Sequence, residues 1–280
     1  MPQAPPGKTA YSLRSFLSSS FASVFNTVFP SDCRICGEPL TNVSRLPVCG
    51  DCTRSIQAIE GNVCEVCGER VPDAAHAISE TKCMLCRRAR LPFAKAMAYG
   101  SYDGALRGMI HLLKYEAMLP AADSLAELLA PVIQPLAERC DGPALLVPVP
   151  LFKSKQRQRE FNQSALIARA VIEKLPQEVR ARLESADSVL LRQRDTRSQT
   201  GLTRHQRREN MRGAFVVSDA AKVAGRDVIL VDDVLTTGTT AAECARVLRR
   251  AGAKKIYVAT VARVMKGEQV SVELARSAEA

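Results

Sequence analysis

The sequence contains no tryptophan, and aromatic residues make up only 5% of it. Stacking platforms for unpaired bases are therefore sparse, which argues against a dedicated single-strand nucleic-acid binder. No apolar run approaches the roughly 20 residues of a membrane-spanning helix, because the longest candidates are interrupted by Pro131, Pro135 or charged residues. A convincing secretory leader is missing too. Arg14 precedes Phe16, Leu17, Phe21, Phe25 and Phe29, but serines break the apolar stretch and no cleavage site follows. The spacing of Leu17, Phe21, Val24, Phe25 and Val28 predicts an amphipathic helix within residues 1–30. Two common phosphate motifs are absent as well. The tripeptide Gly7, Lys8, Thr9 stands in a proline-rich stretch without the first glycine of a Walker loop, and no three spaced glycines form a dinucleotide fingerprint.

What is present bounds the answer further. A chain of 280 residues, 46% hydrophobic, can bury one ordinary core and carry a smaller module. Lys and Arg number 39 against 29 Asp and Glu, a formal charge of +10 that favours anionic partners without choosing among metabolites, nucleic acid and lipid headgroups.

Eight of the ten cysteines form four Cys-x-x-Cys pairs: Cys33 and Cys36, Cys49 and Cys52, Cys64 and Cys67, Cys83 and Cys86. "CRICGEPL" and "CEVCGERV" share the pair, the following Gly-Glu and an apolar end, so the module is an internal repeat. A thiolate pair at this spacing binds metal from one tight knuckle, with Gly37 or Gly68 supplying the turn, and two knuckles complete a tetrahedral zinc shell. Sequential use assigns Cys33, Cys36, Cys49 and Cys52 to one zinc, and Cys64, Cys67, Cys83 and Cys86 to a second. Interleaved ligation satisfies the same spacing, and disulfides or redox-active pairs are the competing reading. Reduced thiols and the lack of a credible leader fit a cytoplasmic protein. His76 reads as a loop residue, and Cys140 and Cys244 as small packing residues.

Metal ligands run out near Arg90 to Phe93, and an α/β pattern begins. "ALRGMIHLLKYEAM" and "AADSLAELLAPVIQPLAERC" read as helices, "ALLVPVP" as a buried strand and "FNQSALIARAVIEKL" as a helix. "DVILVDD" and "KIYVATVAR" bracket the helix "TTAAECARVLRRAGA", with Gly252 as its C-terminal cap. Strand, helix, strand at these lengths predicts a parallel sheet, whose ligands belong at the carboxyl ends of the strands.

"ILVDDVLTTGTT" marks such an end. Val228 to Val231 are expected as the strand, with Asp232 and Asp233 leaving it and Thr236 to Thr240 turning into a helix whose first amides are free. Amides, hydroxyls and the helix dipole suit a phosphate monoester, and Gly238 lets the backbone approach it. The carboxylates suit ribose hydroxyls farther along the same ligand. The bland reading is an acidic strand end before a threonine-capped helix. Lys153, Lys155, Arg157 and Arg159 alternate after Pro150, which predicts cations aimed at one side of an extended loop; a solvated basic loop is the alternative.

"VILVDDVLTTGTT" resembles the phosphoribosyl-pyrophosphate motif of type I phosphoribosyltransferases. The whole arrangement resembles the ComF family, which includes GntX-like proteins: paired knuckles, then "YGSYDGALRGMIHLLKYE", "VPVPLFKSKQRQREFNQSALIA" and "RDTRSQTGLTRHQRRENMRGAF" in the family's order. The resemblance implies an α/β, parallel-sheet phosphoribosyltransferase fold behind a small double zinc ribbon, organised as residues 1–30, 31–92, 93–265 and a tail over 266–280. It implies ribose contacts from Asp232 and Asp233, a 5-phosphate loop of Thr236, Thr237, Gly238, Thr239 and Thr240, and a pyrophosphate loop at Lys153 to Arg159. A flap containing Arg192, Arg194, Thr196, Arg197, Gln199, Arg204, Arg207, Arg208 and Asn210 would cover the diphosphate, and Tyr99, Tyr102, His111, Lys114 and Tyr115 would form a hood. The implied activity is phosphoribosyl transfer from 5-phosphoribosyl 1-pyrophosphate with Mg²⁺. The alternative is a non-enzymatic, ligand-sensing module in DNA uptake, with single-stranded DNA and competence-machinery proteins as partners. Two positions depart from the family: Phe152 replaces an expected polar residue, and Glu160 replaces a glycine.

The duplicated knuckles generate a direct expectation: reduced, freshly purified protein holds two zinc ions, and Cys33→Ser destabilises the N-terminal module first. Elemental analysis that finds no zinc would overturn the ligand assignment.

Overall fold

The computed structural model describes residues 32–40, 44–71, 81–196 and 203–265. The amphipathic stretch within residues 1–30, His76, Arg197, Gln199 and the tail after 265 lie outside them. The chain divides into two compact units between Ser55 and Ile56.

The internal repeat is visible in the backbone. In the first unit Asp32 bridges Pro39, and in the second Val63 bridges Arg70. Each knuckle closes alike: Cys33 N–H donates to Glu38 O at 2.8 Å, and Cys64 N–H donates to Glu69 O at 2.7 Å. Both turns need a left-handed residue, supplied by Gly37 (φ 80°) and Gly68 (φ 71°). The second cysteine pair of each set begins a short helix, Gly50–Arg54 in one and Met84–Arg88 in the other.

The second unit contains a five-stranded sheet in the order β1-β7-β6-β2-β3, parallel throughout. Its strands are β1 (Lys95–Ser101), β2 (Ala144–Pro148), β3 (Leu183–Ser185), β6 (Val228–Leu235) and β7 (Ile256–Arg263). A separate antiparallel ribbon pairs β4 (Leu190–Arg192) with β5 (Phe215–Val217). The principal helices are α1 (Gly104–Tyr115), α2 (Ala121–Glu138), α3 (Lys153–Arg159), α4 (Gln163–Lys174), α5 (Arg204–Met211) and α6 (Thr239–Arg250). All of β2 and β7 is buried, as continuous apolar runs in a doubly covered parallel sheet should be. Val228 and Leu230 share a core with Ala241, Ala245 and Leu248 of α6, while α2 and α4 pack on each other and on the sheet. Gly252 caps α6 at φ 90°, where an added Cβ would lie 3.3 Å from Ala224 Cα.

The outer edge of β1 is covered rather than open. Ile59 N–H donates to Tyr99 O, and Ala96 N–H donates to Val66 O, each at 2.7 Å, so the second knuckle and the segment leading into it occupy hydrogen-bonding groups that an edge strand would otherwise expose. This approach is close enough to require Gly100, whose Cβ would stand 2.9 Å from Gln57 O.

Two local expectations are corrected. β6 continues through both acids to Leu235, because Asp232 pairs with Thr260 and Val234 with Ala262 of β7. Lys153 to Arg159 form a helix, not an extended loop. Alternate residues then lie about 200° apart around the axis, so these cations spread around α3 instead of lining one side.

The two departures from the family pattern bracket this helix. Phe152 is its N-cap and makes no side-chain capping bond, which a polar residue would supply. Glu160 ends it in the left-handed region at φ 66°, where an L side chain is strained and glycine is not. Glu160→Gly is therefore expected to raise stability by about 1 kcal/mol, whereas Glu160→Ala, which removes only the exposed charge, should leave it unchanged. Denaturant unfolding of the two variants checks this, and equal midpoints would remove the strain argument.

Candidate functional site

The connections place a switch point between β2 and β6: the chain leaves β2 for β3 on one side, and leaves β6 for β7 on the other. Ligands of open parallel sheets sit above such a point, at the strand carboxyl ends. Asn162 spans this crevice. Its Oδ1 accepts from Ser164 N–H at 3.1 Å, capping α4, while its Nδ2 donates to Val149 O at 3.1 Å just beyond β2. The cap aims Ser164 at β6, where its hydroxyl donates to Asp232 Oδ1 at 2.9 Å.

The two carboxylates are held differently. Asp232 Oδ1 also accepts from Asp233 N–H at 3.0 Å, whereas Asp233 forms an ion pair with Lys114 near the end of α1. Burial raises the Asp232 pKa to about 8, and the neighbouring Asp233 adds to the shift. Burial would raise Asp233 too, but Lys114 outweighs it and holds this carboxyl below its ordinary value. The two acids are therefore unequal: Asp232 is biased toward its protonated form, and Asp233 toward the carboxylate that Lys114 balances.

Threonines follow directly. Thr237 Oγ1 and Thr239 Oγ1 are 2.8 Å apart, and Gly238, at φ 73°, is the N-cap of α6. Its side-chain-free turn leaves the first amides of α6 uncapped by any side chain, the arrangement that attracts an anion. Thr236 is exposed, and Thr237 to Thr240 are half-buried.

Among the hood residues, Tyr102 Oη and His111 Nε2 are 3.0 Å apart, and the rings of His111 and Tyr115 meet edge-on at 5.1 Å. Arg159 reaches this cluster, with its guanidinium 5.2 Å from the Tyr115 ring centre and 3.1 Å from Gln163 Oε1. Lys153, Lys155 and Arg157 are exposed, and no contact among the described residues joins them to the acids. In the flap segment, Arg194 donates to Asn210 O and Arg212 O at 2.8 and 2.7 Å. Arg192 donates to Thr196 and lies 5.6 Å from the Phe215 ring centre. Arg194 thus joins the residues after β4 to the end of α5, and Thr203 and Gln206 form a reciprocal capping box at the start of α5.

Sequence reasoning missed Ser164 and left Lys114 as one of several hood residues. An Asn-x-Ser start before an apolar helix signals the cap, but only the fold brings the serine to an acid 68 positions away.

The cysteines gather as two separate sets, Cys33, Cys36, Cys49, Cys52 and Cys64, Cys67, Cys83, Cys86, with the sulfurs of each set within 4.8 Å of one another. This is sequential grouping, not interleaved. All eight are free thiols. Sulfur separations of 3.8 Å (Cys33 to Cys52), 3.7 Å (Cys36 to Cys49) and 3.7 Å (Cys67 to Cys83) match the edge, about 3.8 Å, of a tetrahedron with zinc–sulfur bonds of about 2.3 Å. Backbone amides also serve the sulfurs: Cys49 N–H donates to Cys33 Sγ at 3.3 Å.

Comparison with known proteins agrees with this architecture. Residues 24–90 match the double zinc ribbon domain, and residues 162–278 match the phosphoribosyl transferase domain. DNA utilization protein YhgH of Escherichia coli K12 is 31% identical over 240 residues, covering 84% of this chain and 98% of the relative. Competence protein F of Haemophilus influenzae is 26% identical over 226 residues, covering 77% and 96%. A shorter stretch of 52 residues is 46% identical to ribose-phosphate pyrophosphokinase 2 of Archaeoglobus fulgidus, covering 19% of each chain. With both halves matched and the likeness to YhgH running nearly end to end of that relative, the chain belongs to the ComF family.

Proposed function

We propose that the chain binds 5-phosphoribosyl 1-pyrophosphate above the β2/β6 switch point and transfers its phosphoribosyl group to an acceptor. The observation that carries this reading is the unequal carboxylate pair beside an uncapped threonine-rich helix start. The α6 amides and Thr236 to Thr240 would hold the 5-phosphate. Oδ2 of Asp232 and Oδ1 of Asp233, the oxygens not engaged by Ser164 and Lys114, would meet the ribose hydroxyls. The bias of Asp232 toward its protonated form also limits the negative charge facing an anionic donor. Displacement at C1 gathers positive charge on the sugar and negative charge on the departing diphosphate, so Arg159 and the flap cations would stabilise the leaving group.

Magnesium fits this scheme as a companion of the donor. Among the described residues the three-or-more-ligand clusters are the two cysteine sets, and both acids already have partners. Bound to the diphosphate, Mg²⁺ would supply neutralisation of the leaving group. The cysteine sets would each hold one structural zinc.

A second reading is favoured by the names of the relatives, DNA utilization protein and competence protein, together with the exposed cations of α3. In it the same site senses a ligand while single-stranded DNA binds through α3 and α5, with weak sequence preference and strong salt dependence.

Titration calorimetry with the donor separates these readings from a structural role for the acids. Asp232→Asn with Asp233→Asn should weaken donor binding at least tenfold, about 1.4 kcal/mol, while zinc content and fold persist; unchanged affinity makes the acids structural. Because burial and the neighbouring Asp233 push the Asp232 pKa up to about 8, wild-type affinity should fall several-fold as pH rises through that value, when a second negative charge appears opposite the donor. Asp232→Asn alone should abolish this pH dependence. Mg²⁺-dependent release of pyrophosphate that vanishes in the double variant identifies an enzyme. Donor binding without release across a broad acceptor screen, or competition between donor and DNA, favours the sensing module.

A further inference from the structure

The two cysteine sets are alike in sequence and unlike in their surroundings. Among the described residues of the first unit, Cys33 and Cys52 alone are buried, so metal-binding sulfurs stand where a folded unit would have an apolar core. Its order then rests on the metal. Cys36 is exposed and Cys49 half-buried, with their sulfurs 3.7 Å apart.

The second set is held from outside. Cys64, Cys67 and Cys83 are buried and Cys86 half-buried, and Val66, Val71, Leu85 and Leu91 pack about them. Val66 O accepts from Ala96 N–H of β1 at 2.7 Å. The buried Arg263 donates to Cys67 O at 2.6 Å, and its other terminal nitrogen stands 3.9 Å from Cys67 Sγ. A cation so close to a thiolate draws off charge and lowers its nucleophilicity, and Glu69, paired with Arg263 at 3.1 Å, keeps the guanidinium in place. Expelling zinc here would also loosen the cover of β1. Expelling it from the first set removes support from no strand of either sheet, because all of them lie at or beyond Lys95 in the second unit.

We propose that Cys36 is an oxidation site, at which a peroxide discharges the first zinc and leaves the second bound. Solvent access makes its thiolate the point of attack. The Cys36 sulfur takes one peroxide oxygen: the O–O bond breaks, a sulfur–oxygen bond forms and hydroxide leaves. The Cys49 thiolate then attacks the Cys36 sulfur, forming a disulfide and expelling a second hydroxide. Two electrons pass from the two sulfurs to the peroxide, and solvent protons convert both hydroxides to water. Zinc keeps only Cys33 and Cys52, too few for a closed tetrahedral site, and departs. A dithiol reductant and zinc reverse the change. None of these steps involves Asp232, Asp233 or the donor.

The test treats the full zinc-loaded chain with hydrogen peroxide in the presence of a chromogenic zinc chelator. One zinc ion per chain should be released at least about tenfold faster than the other. Peptide mapping after the fast phase should find a disulfide between Cys36 and Cys49, and the thermal unfolding transition of the second unit should persist. Cys36→His keeps a zinc ligand and removes the oxidisable sulfur, so the first zinc should leave at least about tenfold more slowly. Brief iodoacetamide treatment of the loaded wild type, which needs no variant, should alkylate Cys36 ahead of every other cysteine. Release of both ions together, a first disulfide other than that between Cys36 and Cys49, wild-type release from zinc-loaded Cys36→His, or alkylation that begins elsewhere overturns the proposal.

Discussion

Two adjacent carboxylates in a poorly solvated place cannot both be ionised at modest cost, and the upper part of the sheet is organised around that constraint. β6 carries Asp232 and Asp233 while still hydrogen-bonded to β7, so neither acid can swing away into solvent. Lys114 compensates one, and the hydroxyl of Ser164 serves the other. The Asn162 cap then ties α4 to the residue after β2, closing the crevice from its second side. With Lys114 balancing Asp233 and Asp232 biased toward its protonated form, the pair carries less negative charge than two bare carboxylates would.

The second knuckle is as much a part of the sheet as any strand. With the segment from Gln57 to Ile59 that leads into it, it supplies backbone bonds to the free edge of β1, and Gln57 there leaves room only for Gly100. Its zinc-type thiolate set and the sheet edge thus stabilise one another. Binding metal would preserve a β1 edge that is covered rather than open to pairing with another chain.

Much of this was legible in the sequence because it depends on local spacing. The Cys-x-x-Cys pairs, the glycine after each first pair, the apolar run before Asp232 and the glycine after α6 all state their geometry within a few residues. What could not be read depends on residues distant in sequence. Lys114 reads equally well as a helix-surface cation, and only the fold makes it the partner of Asp233. The length of β6 was missed because acids at a strand end suggest termination, whereas the ladder with β7 overrides that local preference. The basic stretch after Pro150 was misjudged for the opposite reason: alternating charge suggested an extended strand-like segment, yet Lys, Arg and Gln are good helix formers. Residue identity decided it.

Arg263 closes β7 with its side chain almost wholly buried, donating to Cys67 O at 2.6 Å and pairing with Glu69. This contact bears on how the protein can be divided. A fragment begun at Phe93, where the cysteine-rich pattern ends, would remove Glu69 and the carbonyl together, leaving a guanidinium at the sheet's end without its acid and β1 without its edge cover. A fragment begun at Ile56 keeps both. The place where composition changes and the place where the chain can be cut are thus different, and a single arginine near the far end of the described sequence separates them.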